Sequence, residues 1–418
     1  MASIFMAAFV AALALMVALK YWLAARQMRH VSRHANAVPT EFADRIGLDA
    51  HRKAAAYTIA RTRLGLVDTF LGAAILVALT LLGGLQWLAS QLEAWLGTGL
   101  SFQVAIVAVV AVILSAIDLP LAWVRQFRLE ARFGFNRMTP ALWIKDLIKS
   151  TLLAAALGLP LLAAILWLWG EAGQYWWLWA WLVWVAFNTL VLLLFPTVIA
   201  PLFNKFEPLA DGALAARIQS LLARAGFASS GVFVMDGSKR SAHGNAYFTG
   251  FGRAKRIVFF DTLIQKLAPA EIEAVLAHEL GHFKLRHIVK RLAFSFLMSL
   301  AFLALLGGIA QQPWFYLGLG VDPLVTGRND GLALVLFMLA LPVFTFPLAP
   351  ISSLFSRQHE YEADAYAASV ASAEDLSQAL VKLYEDNAAT LTPDPLHSAF
   401  YDSHPPAALR LARLAGAT

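Results

Sequence analysis

The sequence predicts an all-α, polytopic membrane protein whose cytoplasmic part contains a small β-sheet. Hydrophobic residues make up 59% of the 418 positions and charged residues only 14%, whereas ordinary globular chains have roughly 45–50% and about 25%. A soluble chain of this length could not hide so much apolar surface. Seven apolar runs are long enough for a membrane helix, which needs about 20 residues, and two stretches of mixed composition lie outside them.

The predicted membrane helices lie on the seven longest apolar runs. A signal peptide is the alternative for the first run. However, no charged residue precedes Ile4 and the run continues past Leu19, so we expect a membrane helix there. The predicted spans are residues 4–23, 65–85, 102–124, 148–169, 176–199, 292–310 and 332–354.

The chain divides into four predicted regions, which are residues 1–200, 201–291, 292–355 and 356–418. The first contains membrane helices one to five with basic cytoplasmic loops, and the third contains helices six and seven. The fourth is a mostly helical cytoplasmic tail. The second is cytoplasmic and is predicted to contain a helix, three short strands and a further helix, at residues 212–226, 231–235, 246–249, 256–260 and from 269 onward.

The basic residues predict the orientation in the membrane, because Lys and Arg are concentrated in cytoplasmic loops. They cluster between spans one and two and between spans three and four, whereas the other short loops hold almost none apart from Arg328. The N-terminus is therefore predicted outside, and the C-terminus and all ten histidines are predicted inside. Because these loops explain the net charge of +6, the lipid bilayer is the predicted partner and nucleic acid is not. The clustered residues are Arg26, Arg29, Arg33, Arg45, Arg52, Lys53, Arg61 and Arg63, then Arg125, Arg128, Arg132, Arg137 and Lys145.

Residues 278–282 read His-Glu-Leu-Gly-His and are the main candidate for chemistry. Positions i and i+4 of a helix share one face, so His278 and His282 can bind one metal ion. Glu279 lies beside them, where it can take a proton from an attacking water. The alternative is a solvated helix face that carries two histidines by chance.

A third metal ligand is predicted just after the seventh span. A catalytic zinc usually has three protein ligands and one open position, and the sequence contains no cysteine. If this segment is helical, Glu360 and Asp364 lie one turn apart on one face. Glu360 can then bind the ion while Asp364 holds the far nitrogen of a ligand histidine. Glu362 points elsewhere on this geometry, and His359 is a rival ligand that lies off the Glu360/Asp364 face.

Two further segments are candidate parts of the site. The first contains His404, followed by Pro405 and Pro406, and then Arg410. His404 and Arg410 could donate hydrogen bonds to the oxyanion that forms when water attacks a carbonyl. The alternative for both is a solvated tail. Residues 245–249 are a short β-prone run, which is either an ordinary core strand or an edge strand that pairs with an extended peptide.

Short motifs distributed through the chain after residue 60 support a family resemblance. They are Glu130, 134–136, Thr139, 200–206, 245–248, 256–258, 260–263, 278–282, Lys284, His287, 360–364, Asn387, 393–395 and 403–406. On these motifs the chain closely resembles the type 1 CAAX prenyl protease family of integral-membrane zinc metallopeptidases. The resemblance implies seven transmembrane helices that enclose a large chamber, with the metallopeptidase site at its cytoplasmic end.

The resemblance also implies a cofactor and the residues that bind it. One Zn²⁺ per chain would be bound by His278, His282 and Glu360. Glu279 would act as the catalytic base.

The remaining site residues follow from the same resemblance. Asp364 would orient His278 or act as a proton donor. His404 and Arg410 would stabilise the transition state. Asn245 and Ala246 would lie in a strand that binds the substrate.

The predicted substrate is a peptide or protein that is lipidated or associated with the membrane. Eukaryotic members of the family cleave the last three residues from prenylated CAAX proteins, and some make a second cut upstream. The Ala- and Leu-rich, cysteine-free chain looks bacterial, which predicts an inner-membrane location without prenylated CAAX substrates. Two alternatives therefore stay open: a quality-control protease for damaged membrane proteins, and a non-enzymatic transporter or scaffold.

Overall fold

Long helices dominate the computed structural model, which describes residues 1–210, 212–227, 231–249, 256–323 and 327–416. The α-helices before residue 230 are α1 (Ala2–His34), α2 (Leu48–Leu79), α3 (Gly84–Leu96), α4 (Leu100–Val124), α5 (Ala131–Phe133), α6 (Pro140–Glu171), α7 (Trp176–Leu194) and α8 (Gly212–Arg224). Those after it are α9 (Asp261–Ile264), α10 (Pro269–Lys284), α11 (His287–Ile309), α12 (Pro313–Leu317), α13 (Asp330–Thr345), α14 (Ala349–Val370), α15 (Ala373–Asp386), α16 (Pro395–Tyr401) and α17 (Ala407–Ala415).

Seven helical segments among the described residues are long and apolar enough to cross a membrane, which confirms the predicted fold class. Each predicted span overlaps one of them. α1 has 33 residues and is therefore about 50 Å long, whereas the hydrocarbon core of a bilayer is roughly 30 Å thick. Such helices extend beyond the membrane. The segments are Ala2–His34, Leu48–Leu79, Leu100–Phe133, Pro140–Glu171, Gly173–Leu202, His287–Ile309 and Asp330–Val370.

The second span is displaced from its predicted limits of 65–85. α2 begins at Leu48 and already ends at Leu79, after which Gly83 adopts a left-handed conformation with φ +78° and α3 begins. A Cβ at Gly84 would lie 2.6 Å from the carbonyl oxygen of Ala78, so the chain turns tightly back on α2. Hydropathy could not predict this turn or α3, because the apolar run continues through both.

The membrane helices share one apolar core, but most of their apolar surface is exposed. In the five segments from Leu48–Leu79 to His287–Ile309, no more than 11% of the most apolar stretch is buried. A cavity of about 850 Å³ lies between α1, α2 and the segment from Tyr384 to Pro406. This cavity agrees with the chamber that the family resemblance implies.

A four-stranded sheet lies outside the membrane segments. Its strands are β1 (Phe206–Pro208), β2 (Val232–Met235), β3 (Ala246–Thr249) and β4 (Arg256–Phe260), in the order β1-β2-β4-β3. β2 and β4 are parallel, and β1 and β3 pair antiparallel with them at the two edges. The sequence predicts β2, β3 and β4 but not β1, whose three residues carry no strand pattern. β3 is thus an edge strand, and α10 packs beside it.

The seventh membrane helix leads almost directly into the helix that carries Glu360. α13 ends at Thr345, a 3₁₀ turn covers Phe346–Leu348, and α14 begins at Ala349. α14 then packs against α10 and α15. The end of a membrane helix therefore holds this carboxylate against the helix with the two metal-motif histidines.

Candidate metal centre

The helix that carries the His-Glu-Leu-Gly-His motif is fixed at its N-terminus and buried along most of its length. Pro269 occupies the first turn, where a missing N–H costs nothing. The backbone N–H of Ala268 donates to Glu271 Oε2 at 2.7 Å, and Lys382 of α15 pairs with the same carboxylate. Ile272 and Leu276 are buried in the core between α8, β4 and α15. The helix thus presents both histidines of the motif on one supported face.

Gly281 allows α10 and α14 to approach each other closely. A Cβ at this position would lie 2.9 Å from the Cα of Ala363 and 3.1 Å from its carbonyl oxygen. Both are backbone atoms, which cannot move aside as a flexible side chain can. Glu360 lies one turn before Ala363 and Asp364 directly follows it. The glycine of the motif therefore brings both carboxylates within reach of the histidines.

The predicted ligand atoms form a triangle of the size expected for a tetrahedral metal site. His278 Nε2 lies 3.2 Å from His282 Nε2 and 3.4 Å from Glu360 Oε2. His282 Nε2 lies 3.3 Å from Glu360 Oε1. Zinc–ligand bonds of about 2.0–2.1 Å at tetrahedral angles separate ligand atoms by ~3.3 Å. His278, His282 and Glu360 therefore fit one ion with a fourth position left open.

The electrostatics of the triangle also favour a bound cation. Glu360 is only 3% exposed, and its Oε2 accepts no hydrogen bond from the described part of the chain. Such an orphaned buried acceptor is uncommon and costly. Burial lowers the pKa of His278, but the Asp364 and Glu360 carboxylates beside its two ring nitrogens outweigh burial and raise this pKa to about 9. The site is thus negative enough to favour a positive charge between these side chains.

Asp364 and Arg410 support His278 at Nδ1, the ring nitrogen that does not face Glu360. Asp364 Oδ1 lies 2.8 Å from His278 Nδ1, so this ring can donate to the carboxylate while its Nε2 faces the ligand triangle. Arg410 donates to the same carboxylate through Nε at 2.8 Å and Nη2 at 2.6 Å. All three side chains are buried. Arg410 Nη1 is left facing Glu360 Oε2 at 3.9 Å.

His404 also reaches the ligand triangle, although it lies more than a hundred residues along the chain from the motif. Its Nε2 is 3.6 Å from Glu360 Oε2, and its Nδ1 is 3.0 Å from the Ser403 hydroxyl. Its side chain is 62% exposed, so it stands at the rim of the site. Tyr384 supports the following residue by donating its hydroxyl to the carbonyl of Pro405 at 3.3 Å.

Glu279 lines a cavity of about 330 Å³ together with His278, Glu360, His404 and Arg410. Burial raises the pKa of the Glu279 carboxyl, and the neighbouring imidazoles oppose this shift. A raised carboxyl pKa suits a group that must accept a proton and then release it near neutral pH.

Asn245 and Ala246 line the same cavity at the start of the edge strand β3. The carbonyl of Asn245 accepts from the Phe260 N–H of β4 at 2.9 Å. Its side-chain oxygen accepts from the Ala246 N–H at 2.8 Å. The Asn245 side chain thus covers a backbone donor at the sheet edge, where an extended peptide would pair.

The rival ligand His359 lies apart from the metal group. Two other residues, His287 and Glu362, approach the group although the sequence did not predict it. His359 stacks on the ring of His287 at 4.0 Å instead of facing Glu360. His287 contacts the predicted ligand His282, and Glu362 contacts His287. His287 belongs to the motifs that carry the resemblance, but local spacing could not pair it with a carboxylate 75 residues away.

Comparison with known proteins covers both halves of the chain. The family model described as "CAAX prenyl protease N-terminal, five membrane helices" matches residues 27–205, and the model "Peptidase family M48" matches residues 208–418. CAAX prenyl protease 1 of Saccharomyces cerevisiae is 41% identical over 312 residues, which cover 71% of this chain and 68% of that protein.

Two further similarities extend over nearly the whole chain. The CAAX prenyl protease 1 homolog of Homo sapiens is 28% identical over 441 residues, which cover 93% of this chain and 91% of that protein. The crystal structure of S. mikatae Ste24p has a TM-score of 0.92 and 32% sequence identity, and the match covers 98% of this chain and 99% of that one.

Proposed function

The chain belongs to peptidase family M48 as an integral-membrane metalloendopeptidase, and on this premise we propose that its metal is zinc and its substrate a C-terminally prenylated CAAX polypeptide. The observation that supports this most directly is the His278, His282 and Glu360 triangle, which faces the edge strand β3 in one cavity. Two imidazoles and one carboxylate with an open position are typical of a catalytic zinc site.

Zinc bound by His278, His282 and Glu360 would supply Lewis-acid activation of the scissile carbonyl and of water. Glu279 takes the proton of the attacking water and passes it to the leaving amine. Its raised pKa suits both steps. Asp364 accepts a hydrogen bond from His278 Nδ1, which keeps the proton on that nitrogen and leaves the lone pair of Nε2 for the metal.

His404 and Arg410 donate to the negative charge that develops on the carbonyl oxygen. His404 Nε2 and Arg410 Nη1 both lie within 4 Å of Glu360 Oε2, at 3.6 and 3.9 Å. Both donors therefore stand next to the ligand triangle. Asn245 and Ala246 line the same cavity at the start of the edge strand β3, where the extended backbone of the peptide can pair once the Asn245 side chain releases the Ala246 N–H.

The proposal also includes a prenylated substrate and an active site on the cytoplasmic side of the membrane. The S. cerevisiae and H. sapiens relatives carry the name CAAX prenyl protease 1, and the 850 Å³ cavity beside the membrane helices shares Tyr384, Asn387, Ala389 and His404 with the smaller site cavity. The loop charges support an external N-terminus and a cytoplasmic active site. These relatives are eukaryotic, and the proposed substrate departs from the bacterial inner membrane that the composition predicts, where prenylated CAAX proteins would be absent.

Cleavage of matched peptides tests the substrate. The purified protein would be assayed on a C-terminal peptide whose cysteine is farnesylated and on the same peptide without the lipid. We expect release of the last three residues, faster from the farnesylated peptide and lost in Glu279→Gln. Equal cleavage of both peptides would contradict the role of the prenyl group. Trapping with Glu279→Gln in cells would then identify whether damaged membrane proteins are the substrates.

A further inference from the structure

The ligand histidines differ in what holds their second ring nitrogen. His278 faces the carboxylate of Asp364 directly. His282 instead faces a second histidine: its Nδ1 lies 3.0 Å from the Nδ1 of His287. His287 in turn places its Nε2 2.9 Å from Glu362 Oε2. His287 is 1% exposed, so water does not substitute for either contact.

The chemistry of imidazole leaves one proton arrangement for this chain of contacts. His282 Nε2 belongs to the ligand triangle and must carry a lone pair, so its Nδ1 bears the hydrogen. His282 then donates to His287 Nδ1, which must be an acceptor. The hydrogen of neutral His287 therefore lies on Nε2, which donates to Glu362. Each contact fixes the tautomer of the next ring.

One further hydrogen bond and one backbone turn hold Glu362 and His287 in place. Gln358 donates its amide to Glu362 Oε1 at 2.9 Å, which leaves Oε2 for His287. His287 is the first residue of α11 and follows Arg286, which adopts a left-handed conformation with φ +57°. This conformation is uncommon outside glycine. The turn that precedes it folds His287 back against α10.

We propose that His287 and Glu362 are positioning residues for the metal, which act through His282 as Asp364 acts through His278. The proposal rests on the proposed zinc site and adds a second supporting arm to it. A carboxylate at the end of the arm makes His282 a better donor to the metal and holds its ring in the ligand orientation. Neither residue touches the metal or the substrate.

Zinc affinity, measured by competition with a chelator on full-length protein in detergent, tests the proposal. His287→Leu removes the acceptor for His282 and keeps an apolar volume in the buried position. We expect it to weaken zinc binding by roughly 10–100-fold. His287→Gln can still accept from His282 and donate to Glu362, so it should recover most of the lost affinity.

A matched pair of glutamates controls for a loss of folding. Glu362 and Glu374 each accept an amide from a glutamine one turn away, at 2.9 and 3.2 Å. Only Glu362 also accepts from His287. Glu362→Ala should therefore weaken zinc binding, whereas Glu374→Ala should not. If His287→Leu fails to fold, this pair still decides the question.

The unfolding temperature of the chelator-treated proteins separates positioning from a general structural role. A positioning role predicts that the metal-free variants unfold close to the parent and that only the stabilisation by added zinc decreases. Parental zinc affinity in both His287→Leu and Glu362→Ala would overturn the inference. Full zinc content in Glu360→Ala would instead overturn the proposed metal site itself, so the two failures are distinguishable.

Discussion

Glu360 and Glu279 are carboxylates of the same cavity, but their surroundings predict opposite consequences of removal. Glu360 lies between two imidazole Nε2 atoms, at 3.4 and 3.3 Å, whereas Glu279 lies beside the triangle. We expect Glu360→Ala to lose most bound zinc, because two imidazoles alone hold the ion weakly. Glu279→Gln should keep about one zinc per chain and lose proteolysis. Elemental analysis and peptide cleavage on the same samples measure both.

The exposed Glu374→Ala is the control for this pair. It should keep the parental zinc content and cleavage rate. Full zinc in Glu360→Ala would mean that the third ligand is misassigned. Substantial cleavage by Glu279→Gln would exclude Glu279 as the base.

His404 and Arg410 are both proposed oxyanion donors, but only Arg410 is also part of a buried ion pair. His404 is 62% exposed, so His404→Ala should keep stability, zinc and peptide affinity while turnover falls by ~10²–10³. Arg410→Ala would leave the Asp364 carboxylate buried without its bidentate partner, which typically costs about 3–5 kcal/mol. We therefore expect a lower unfolding temperature and weaker zinc binding in addition to slow cleavage.

Arg413→Ala is the matched control for Arg410→Ala. Arg413 lies one turn further along α17, is exposed, and stacks on Tyr361 at 3.6 Å. Its removal should leave zinc content and cleavage near the parental values. Near-parental cleavage by His404→Ala would reduce His404 to a solvated residue at the rim.

At the scale of elements, the sequence predicts the helices and strands that a pattern of neighbouring residues determines. The α10 helix, the Glu360/Asp364 face of α14 and strand β3 each follow from spacing within a few residues, and all three meet in the structure. Helix α3 and strand β1 could not be predicted, because the first continues an apolar run and the second exists only through its pairing with β2. The contact between His287 and Glu362 is missed for the same reason, since packing alone brings them together.

Gly281 is an element-scale determinant that the motif contains but helical spacing does not explain. A Cβ at this position would overlap the backbone of Ala363, at 2.9 Å from its Cα. Gly281→Ala must therefore push α14 away from α10 or strain both helices, which typically costs about 1–3 kcal/mol. Because α14 carries Glu360, we also expect a large loss of zinc affinity. Thermal unfolding and chelator competition measure the two effects.

Gly308→Ala is the control for this substitution. Gly308 lies in helix α11 and a Cβ there would meet no atom within 4 Å. Alanine favours a helix more than glycine does, so this change should leave the unfolding temperature unchanged or slightly higher. Parental zinc affinity in Gly281→Ala would show that α14 can move without displacing Glu360.

At the scale of the whole molecule, the site is assembled from distant parts of the chain that the membrane helices hold in place. α13 continues into α14 with Glu360, and α1 holds the C-terminal segment, where Arg26 pairs with Asp394 at 3.0 Å. Asp394 in turn accepts from the backbone N–H groups of Leu396 and His397 at the start of α16. Contacts between the membrane helices and the C-terminal segment therefore help to hold the proposed site together.

The orientation of this assembly decides which compartment contains the active site. The basic loops between the predicted spans predict that Ser3 lies outside and Ser220 inside. Both serines are exposed, and the parent contains no cysteine, so single cysteine substitutions can be labelled without background. We expect Ser3→Cys to react with an impermeant maleimide in intact cells, and Ser220→Cys to react only after permeabilisation. Labelling in the reverse pattern would invert the orientation and place the metal centre outside.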